Sequence, residues 1–121
     1  MGNPVIHFEV VGKDGDALVG FYEQLFGWKT ESRPELGYWL VEKEGEGIAG
    51  GIGRTQDGNG PGHVTFYVQV EDPQAALDQA EALGGKTVMP VMSIPNVVTL
   101  AMFSDPEGHV VGLVGSETPT A

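Results

Sequence analysis

His7-Phe8-Glu9-Val10-Val11 and His63-Val64-Thr65-Phe66-Tyr67-Val68 open two stretches of chain that run almost in parallel. After the first comes a helix-like segment closing at Phe26-Gly27, then Trp28-Lys29-Thr30. After the second comes another, closing at Leu83-Gly84-Gly85, then Lys86-Thr87. Glu46-Gly47-Ile48-Ala49-Gly50-Gly51-Ile52 is echoed by Glu107-Gly108-His109-Val110-Val111-Gly112-Leu113. A repeat of this length decides the architecture more firmly than any local propensity. It implies one pseudo-symmetric domain over residues 1–121, with its functional site expected in a cleft where the halves meet.

Each half reads as strand, helix, then three strands. Val, Ile and Phe crowd residues 4–11, as in a strand. Asp14 or Asp16 can cap a helix whose apolar positions are Leu18, Phe21, Tyr22, Leu25 and Phe26, and Gly27 can end it in a left-handed turn. Residues 28–33, 37–43 and 47–53 follow as short strands, separated by Pro34-Glu35 and Glu44-Gly45-Glu46. In the second half Asp72 and Pro73 form an N-cap and first-turn pair. Ala76, Leu77, Ala80 and Leu83 make the apolar stripe of that helix. Strands are expected at 86–89, 97–104 and 109–115, with Pro90, Pro95 and Asp105-Pro106-Glu107-Gly108 as breaks. The expected fold is α+β: two βαβββ units, about 4–53 and 62–115, forming a curved eight-stranded mixed sheet around a cleft, backed by two helices. Residues 54–61 form the linker and 116–121 a loose tail.

Composition narrows the function classes. The chain has 121 residues, 40% hydrophobic and 19% charged, which suits one globular core. With no cysteine, disulfides and thiolate metal sites are excluded. The net charge is −11, and the six Lys and Arg are scattered singly, so no basic face exists for nucleic acid. No apolar run reaches the ~20 residues of a membrane span, and no secretory leader is visible, so a cytoplasmic location is expected.

Phe21-Tyr22 through Leu25-Phe26-Gly27-Trp28, Gly50-Gly51-Ile52, Gly62-His63-Val64 and Asp105-Pro106-Glu107-Gly108 resemble the vicinal oxygen chelate superfamily. That superfamily includes glyoxalase I, extradiol dioxygenases, fosfomycin-resistance enzymes and bleomycin-binding proteins. The resemblance covers about residues 4–115. It implies a divalent ion held at the cleft by one ligand from the first strand and one from the last strand of each unit. The first-strand positions match His7 and His63, and the last-strand positions match Gly51 and Gly112, where a carboxylate is usual. This chain therefore keeps two histidines and lacks both carboxylates.

Divalent metals in catalytic sites normally take three or more protein ligands. Strand alternation places Glu9 on the face of His7, and Thr65 and Tyr67 on the face of His63. His7, Glu9, His63, Thr65 and Tyr67 are the candidate ligand-binding residues. His7 and His63 are the candidate metal ligands, with Glu9 as a possible third. Hydrogen-bonded strand histidines without a metal are the weightier alternative. Removal of side chains at Gly51 and Gly112 would open room for a bulky ligand, or would reflect close backbone approach. Trp28, Tyr38, Trp39 and Phe103, with Met89, Met92 and Met102, are candidates for an apolar cleft wall, or plain core. His109 reads as a turn residue. The expected function is binding of a small molecule, neutral or cationic with an apolar body, by a homodimer without a tightly held metal cofactor. The rivals are a metal-dependent glyoxalase-, lyase- or dioxygenase-type enzyme and a subunit of a larger assembly.

Overall fold

In a computed structural model of the chain, residues 2–55, 61–95 and 98–116 are described. The expected linker falls largely on 56–60 and the expected tail on 117–121, and both lie outside the described residues, as does Val97. Contacts divide the chain into two compact units. One is His7–Thr65, and the other combines the residues before His7 with those from Phe66 onward. The divisions fall inside strands β1 (Val5–Gly12) and β5 (His63–Val70).

The first unit continues with α1 (Gly15–Phe26), β2 (Thr30–Arg33), a 3-10 turn at Pro34–Leu36, β3 (Tyr38–Val41) and β4 (Ala49–Arg54). Asp14 caps α1 by accepting a hydrogen bond from the amide of Ala17 at 3.0 Å. Gly27 ends it at φ 70°, a left-handed conformation that a Cβ would disfavour. The strand order here is β2-β3-β4-β1, with β4 parallel to β1 and the other pairs antiparallel. Val19, Val41 and Ile52 are buried between helix and strands, with Phe8, Leu18, Tyr22, Trp28 and Trp39 packed around them. Phe21, Leu25 and Phe26 are 58%, 58% and 57% exposed, and Val19 takes the inward position. The helix presents its Leu18–Val19–Tyr22 edge to the strands, so half of its apolar stripe faces outward.

The second unit holds the rest of β5, then α2 (Pro73–Ala82), β6 (Lys86–Ile94), β7 (Val98–Ser104) and β8 (Val110–Gly115). Asp72 caps α2 by accepting from the amides of Gln74 and Ala75. The order is β5-β8-β7-β6, again with one parallel pair, β5 with β8. Leu77, Ala101 and Leu113 form the buried core, flanked by Val68, Val70, Ala76, Val91 and Phe103. Leu83, expected on the apolar stripe, lies past the helix end and is 72% exposed. Pro90 does not break β6. The strand runs through it with register shifts against β7 between Thr87 and Met92. An outer strand with a bulge tolerates a residue that cannot donate to the ladder.

Eight strands in a mixed sheet and two helices make this the expected α+β fold, with a βαβββ order in each half.

Candidate functional site

In the first unit the parallel pairing of β1 with β4 sets Glu9 opposite Gly51 and His7 opposite Ala49. In the second, the pairing of β5 with β8 sets Tyr67 opposite Gly112. Counted from the glycines, Glu9 is thus equivalent to Tyr67, and His7 to Thr65. The two histidines do not occupy equivalent places in the repeat, contrary to the sequence alignment, which matched them to each other. Aligning identical residues shifted the register by two. A shift of two keeps every side chain on its face, so the alternation argument for Glu9, Thr65 and Tyr67 survives.

The polar side chains of the first unit form a hydrogen-bonded chain. His7 Nε2 lies 3.0 Å from the Tyr38 hydroxyl. That hydroxyl donates to Glu9 Oε1 at 3.0 Å. Glu9 Oε2 lies 2.9 Å from His63 Nε2. A phenol has one proton, and here it goes to the carboxylate. His7 must therefore donate from Nε2–H to the phenol oxygen, and His63 must donate from Nε2–H to the ionised carboxylate. The sequence brought His7, Glu9 and His63 forward. It missed Tyr38 as the connector, having placed it in an apolar wall. No local signal in the sequence marks it; the structure pairs it across β3 and β4 with Gly53.

Burial is uneven along this chain. Glu9 is buried, while the His63 side chain is 40% exposed. Burial holds the pKa of His7 below the ordinary imidazole value, against an opposing pull from the charge of Glu9. His7 is therefore neutral at pH 7. The Glu9 carboxylate accepts a hydrogen bond at each oxygen from the protein's own side chains.

The glycines at 51 and 112 do not open free space. A Cβ on Gly51 would lie 1.9 Å from the Tyr38 hydroxyl oxygen, and one on Gly112 would lie 2.3 Å from the Tyr67 ring. Each glycine is the floor on which a tyrosine ring lies. Thr65 is buried in the first unit and Tyr67 in the second. Trp28 and Trp39 belong to the first core and Phe103 to the second, so they are core rather than site wall. His109 sits in the turn after β7, its Nδ1 3.0 Å from Asp105 Oδ2. A groove of about 630 Å³ in the first unit is lined by residues that include Val10, Val11, Gly12, Leu18, Phe21, His63 and Val64. Val10 and Gly12 alternate with Glu9 along β1, and His63 belongs to both the groove and the polar chain.

A family model for a glyoxalase-like domain matches residues 8–114. The chain belongs to this glyoxalase-like family. Its fold is that of the vicinal oxygen chelate superfamily. A protein described as "Putative glyoxylase CFP32" from Mycobacterium tuberculosis is 31% identical over 107 residues, covering 83% of this chain and 41% of that protein. The chain thus spans about two fifths of the length of the curated relatives it matches. Among solved structures, methylmalonyl-CoA epimerase from Mycobacterium tuberculosis superposes with a TM-score of 0.66 at 15% identity, covering 97% of this chain and 88% of that one. The Mn(II)-bound glyoxalase from Novosphingobium aromaticivorans superposes with a TM-score of 0.66 at 16% identity, covering 98% of this chain and 40% of that one. At these identities the structural likeness carries the fold alone. No helix among the described residues is long and apolar enough to cross a membrane.

The donor set can now be tested against the divalent ion that the family implies. Two imidazoles and one carboxylate are suitable types. Their arrangement does not fit. Among the described residues no group of three His, Cys, Asp or Glu is placed to hold an ion. The Tyr38 hydroxyl lies between His7 and Glu9, and both histidine Nε2 atoms are engaged in hydrogen bonds.

Proposed function

We propose that this chain binds a small organic molecule at the His7–Tyr38–Glu9–His63 chain, without a tightly held metal ion. The observation that carries the reading is the engagement of both Glu9 oxygens, one by Tyr38 and one by His63. The buried charge is balanced by protein donors, and the half-exposed His63 ring is the group a ligand would meet first. A ligand with a hydrogen-bond acceptor beside an apolar body suits such an edge. Because Glu9 is already paired, its charge attracts a cationic ligand less than an unpaired carboxylate would. Neutral and cationic ligands remain favoured over anions by the acidic surface, which acts mainly on encounter.

The test is a thermal-shift screen of matched cationic, neutral and anionic aromatic compounds in the presence of a chelator, on the wild type and Glu9→Gln. Neutral or cationic hits that weaken at least tenfold in Glu9→Gln are expected. Hits confined to anions, or hits indifferent to that change, would sink the reading.

The rival is a metal-dependent enzyme, favoured by the two-histidine, one-carboxylate composition of the polar chain. Stoichiometric Zn, Ni, Mn or Fe in protein purified without a histidine tag would establish it over the first. Pairing into a homodimer is part of the same proposal, supported by the outward Phe21, Leu25 and Phe26 of α1. Light scattering at micromolar concentration should give twice the chain mass, and a monomer would count against it.

A further inference from the structure

We infer that two copies of this chain pair through the outward face of α1, with Phe21 of each copy seated in the hollow beside Gly20 of the other. This rests on the homodimer proposed above and gives it a surface.

The helix carries two stripes. Leu18, Val19 and Tyr22 face the strands of the first unit. Ala17, Gly20, Phe21, Gln24 and Leu25 line one hollow of about 560 Å³ on the outside. Those five stand at the spacing of a single helical face. A helix covered on one side only keeps its other side polar. Here the outer side holds Phe21 and Leu25, both exposed, and no charged residue stands between Asp16 and Glu23.

The repeat supplies an internal comparison. Counted from the caps Asp14 and Asp72, Val19 matches Leu77 and Phe21 matches Gln79. Val19 and Leu77 are buried, and Phe21 and Gln79 are exposed, so each helix lies on its own unit in the same way. The outer stripe of α2 is Ala75, Asp78, Gln79 and Ala82. Asp78 and Gln79 thus stand where α1 has Gly20 and Phe21. The fold is content with polar side chains at these places, so it is not the fold that calls for Phe21.

Gly20 points the same way. Glycine in the middle of a helix weakens it relative to alanine. Its backbone is helical, and a Cβ there would meet only Gln24 Nε2, at 3.9 Å, among the described residues. Nothing within the described chain therefore requires a glycine. Its bare backbone instead deepens the hollow beside Phe21, with room for an aromatic ring from outside. On its other side Phe21 borders the groove of about 630 Å³. A face with its own knob and its own hollow is self-complementary, which is what a twofold pair demands.

Charge selects this face over others. Each copy carries −11, and like charges oppose approach. A twofold axis passing between Gly20 and Phe21 sets the helices antiparallel and puts Asp16 of one copy opposite Leu25 of the other. Glu23 is held by Thr30, whose hydroxyl donates to Glu23 Oε2 at 2.6 Å. The acids of α1 are thereby kept apart, and apolar surface meets apolar surface.

The experiment is light scattering and sedimentation of the full chain at micromolar concentration, with folding checked by circular dichroism. The wild type should show twice the chain mass. Phe21→Gln, which copies the residue of α2, should weaken pairing about tenfold or more. Gly20→Leu fills the hollow with a good helix former and should do the same, so the test stands if either variant fails to fold. Leu83→Gln, an equally exposed site beyond α2, should leave the mass unchanged. Pairing should tighten severalfold between about 10 mM and 0.3 M sodium chloride, as apolar contact between like-charged copies requires. Folded Phe21 and Gly20 variants that pair like the wild type overturn this surface and leave the homodimer standing on another. A monomeric wild type overturns both. A mass above twice the chain, or pairing weakened by salt, overturns the closed apolar contact.

Discussion

At His7, burial and charge pull in opposite directions, and burial wins. Its folded pKa lies below the ordinary value of about 6.5. Above that value both folded and unfolded chains hold a neutral imidazole, and His7 contributes no pH dependence to stability. As pH falls from about 6.5 through the folded pKa, the unfolded chain takes the proton first, so stability drops. The urea midpoint of the wild type should therefore fall between pH 7.5 and 5.5 more than that of His7→Gln, whose amide can still donate to Tyr38. Equal slopes for the two would show that His7 does not carry the effect. Glu9 is the costlier residue to change, because two donors converge on it. Glu9→Gln turns one acceptor into a donor facing another donor, and it should cost about 2–3 kcal/mol in urea unfolding. A loss below about 0.5 kcal/mol would mean that water replaces the lost bond at no expense.

The elements show which features could be read from local chemistry and which could not. Asp14, Gly27, Asp72 and Pro73 mark helix ends by mechanisms confined to one turn, and the structure places each where its chemistry requires. Asp14→Ala and Asp72→Ala should each cost about 1 kcal/mol. Circular dichroism melts would check this, and no change in either would deny the capping bonds. Strand number and the βαβββ succession were legible because the repeat stated them twice. The register of the repeat was not legible. Two histidines in like surroundings suggested an equivalence that only the cross-strand pairs Glu9–Gly51 and Tyr67–Gly112 could correct. Nor could the sequence tell which half of the α1 stripe faces inward, since helical spacing gives both Val19 and Phe21 an apolar neighbour one turn away. Tyr38 was hidden for a similar reason. Its partners stand 29 and 31 residues away, so nothing near it in sequence marks it as polar-site chemistry. The glycines carry a further element-scale expectation. Gly51→Ala drives a methyl into Tyr38 and should destabilise by at least about 3 kcal/mol, beyond the usual overpacking cost. Tyr38→Leu should recover part of that loss. A double variant no more stable than Gly51→Ala would show that the clash is with something other than the phenol.

At the scale of the whole molecule, charge sets a condition on every measurement above. Seventeen acidic residues face six basic ones, for a net charge of −11. Like charges repel more strongly in a compact chain than in an expanded one, so this imbalance opposes folding. The attractive contacts that salt would weaken are small by comparison. The Arg33–Glu31 pair is exposed on both sides, and such pairs contribute little. The hydrogen bonds around Glu9 are part-buried, where screening acts less than on exposed pairs. Salt should then stabilise this protein. At low ionic strength the repulsion extends about 30 Å, and at 0.1 M only about 10 Å, which is shorter than most separations across the surface. The melting temperature should rise by a few degrees, on the order of 1 kcal/mol, between about 10 mM and 0.3 M salt. It should do so equally in sodium chloride and choline chloride, since screening depends on ionic strength and not on the cation. A fall with salt would mean that attractive surface pairs outweigh the net charge. A rise in sodium chloride alone would point to a specific cation site and would reopen the metal reading at His7, Glu9 and His63.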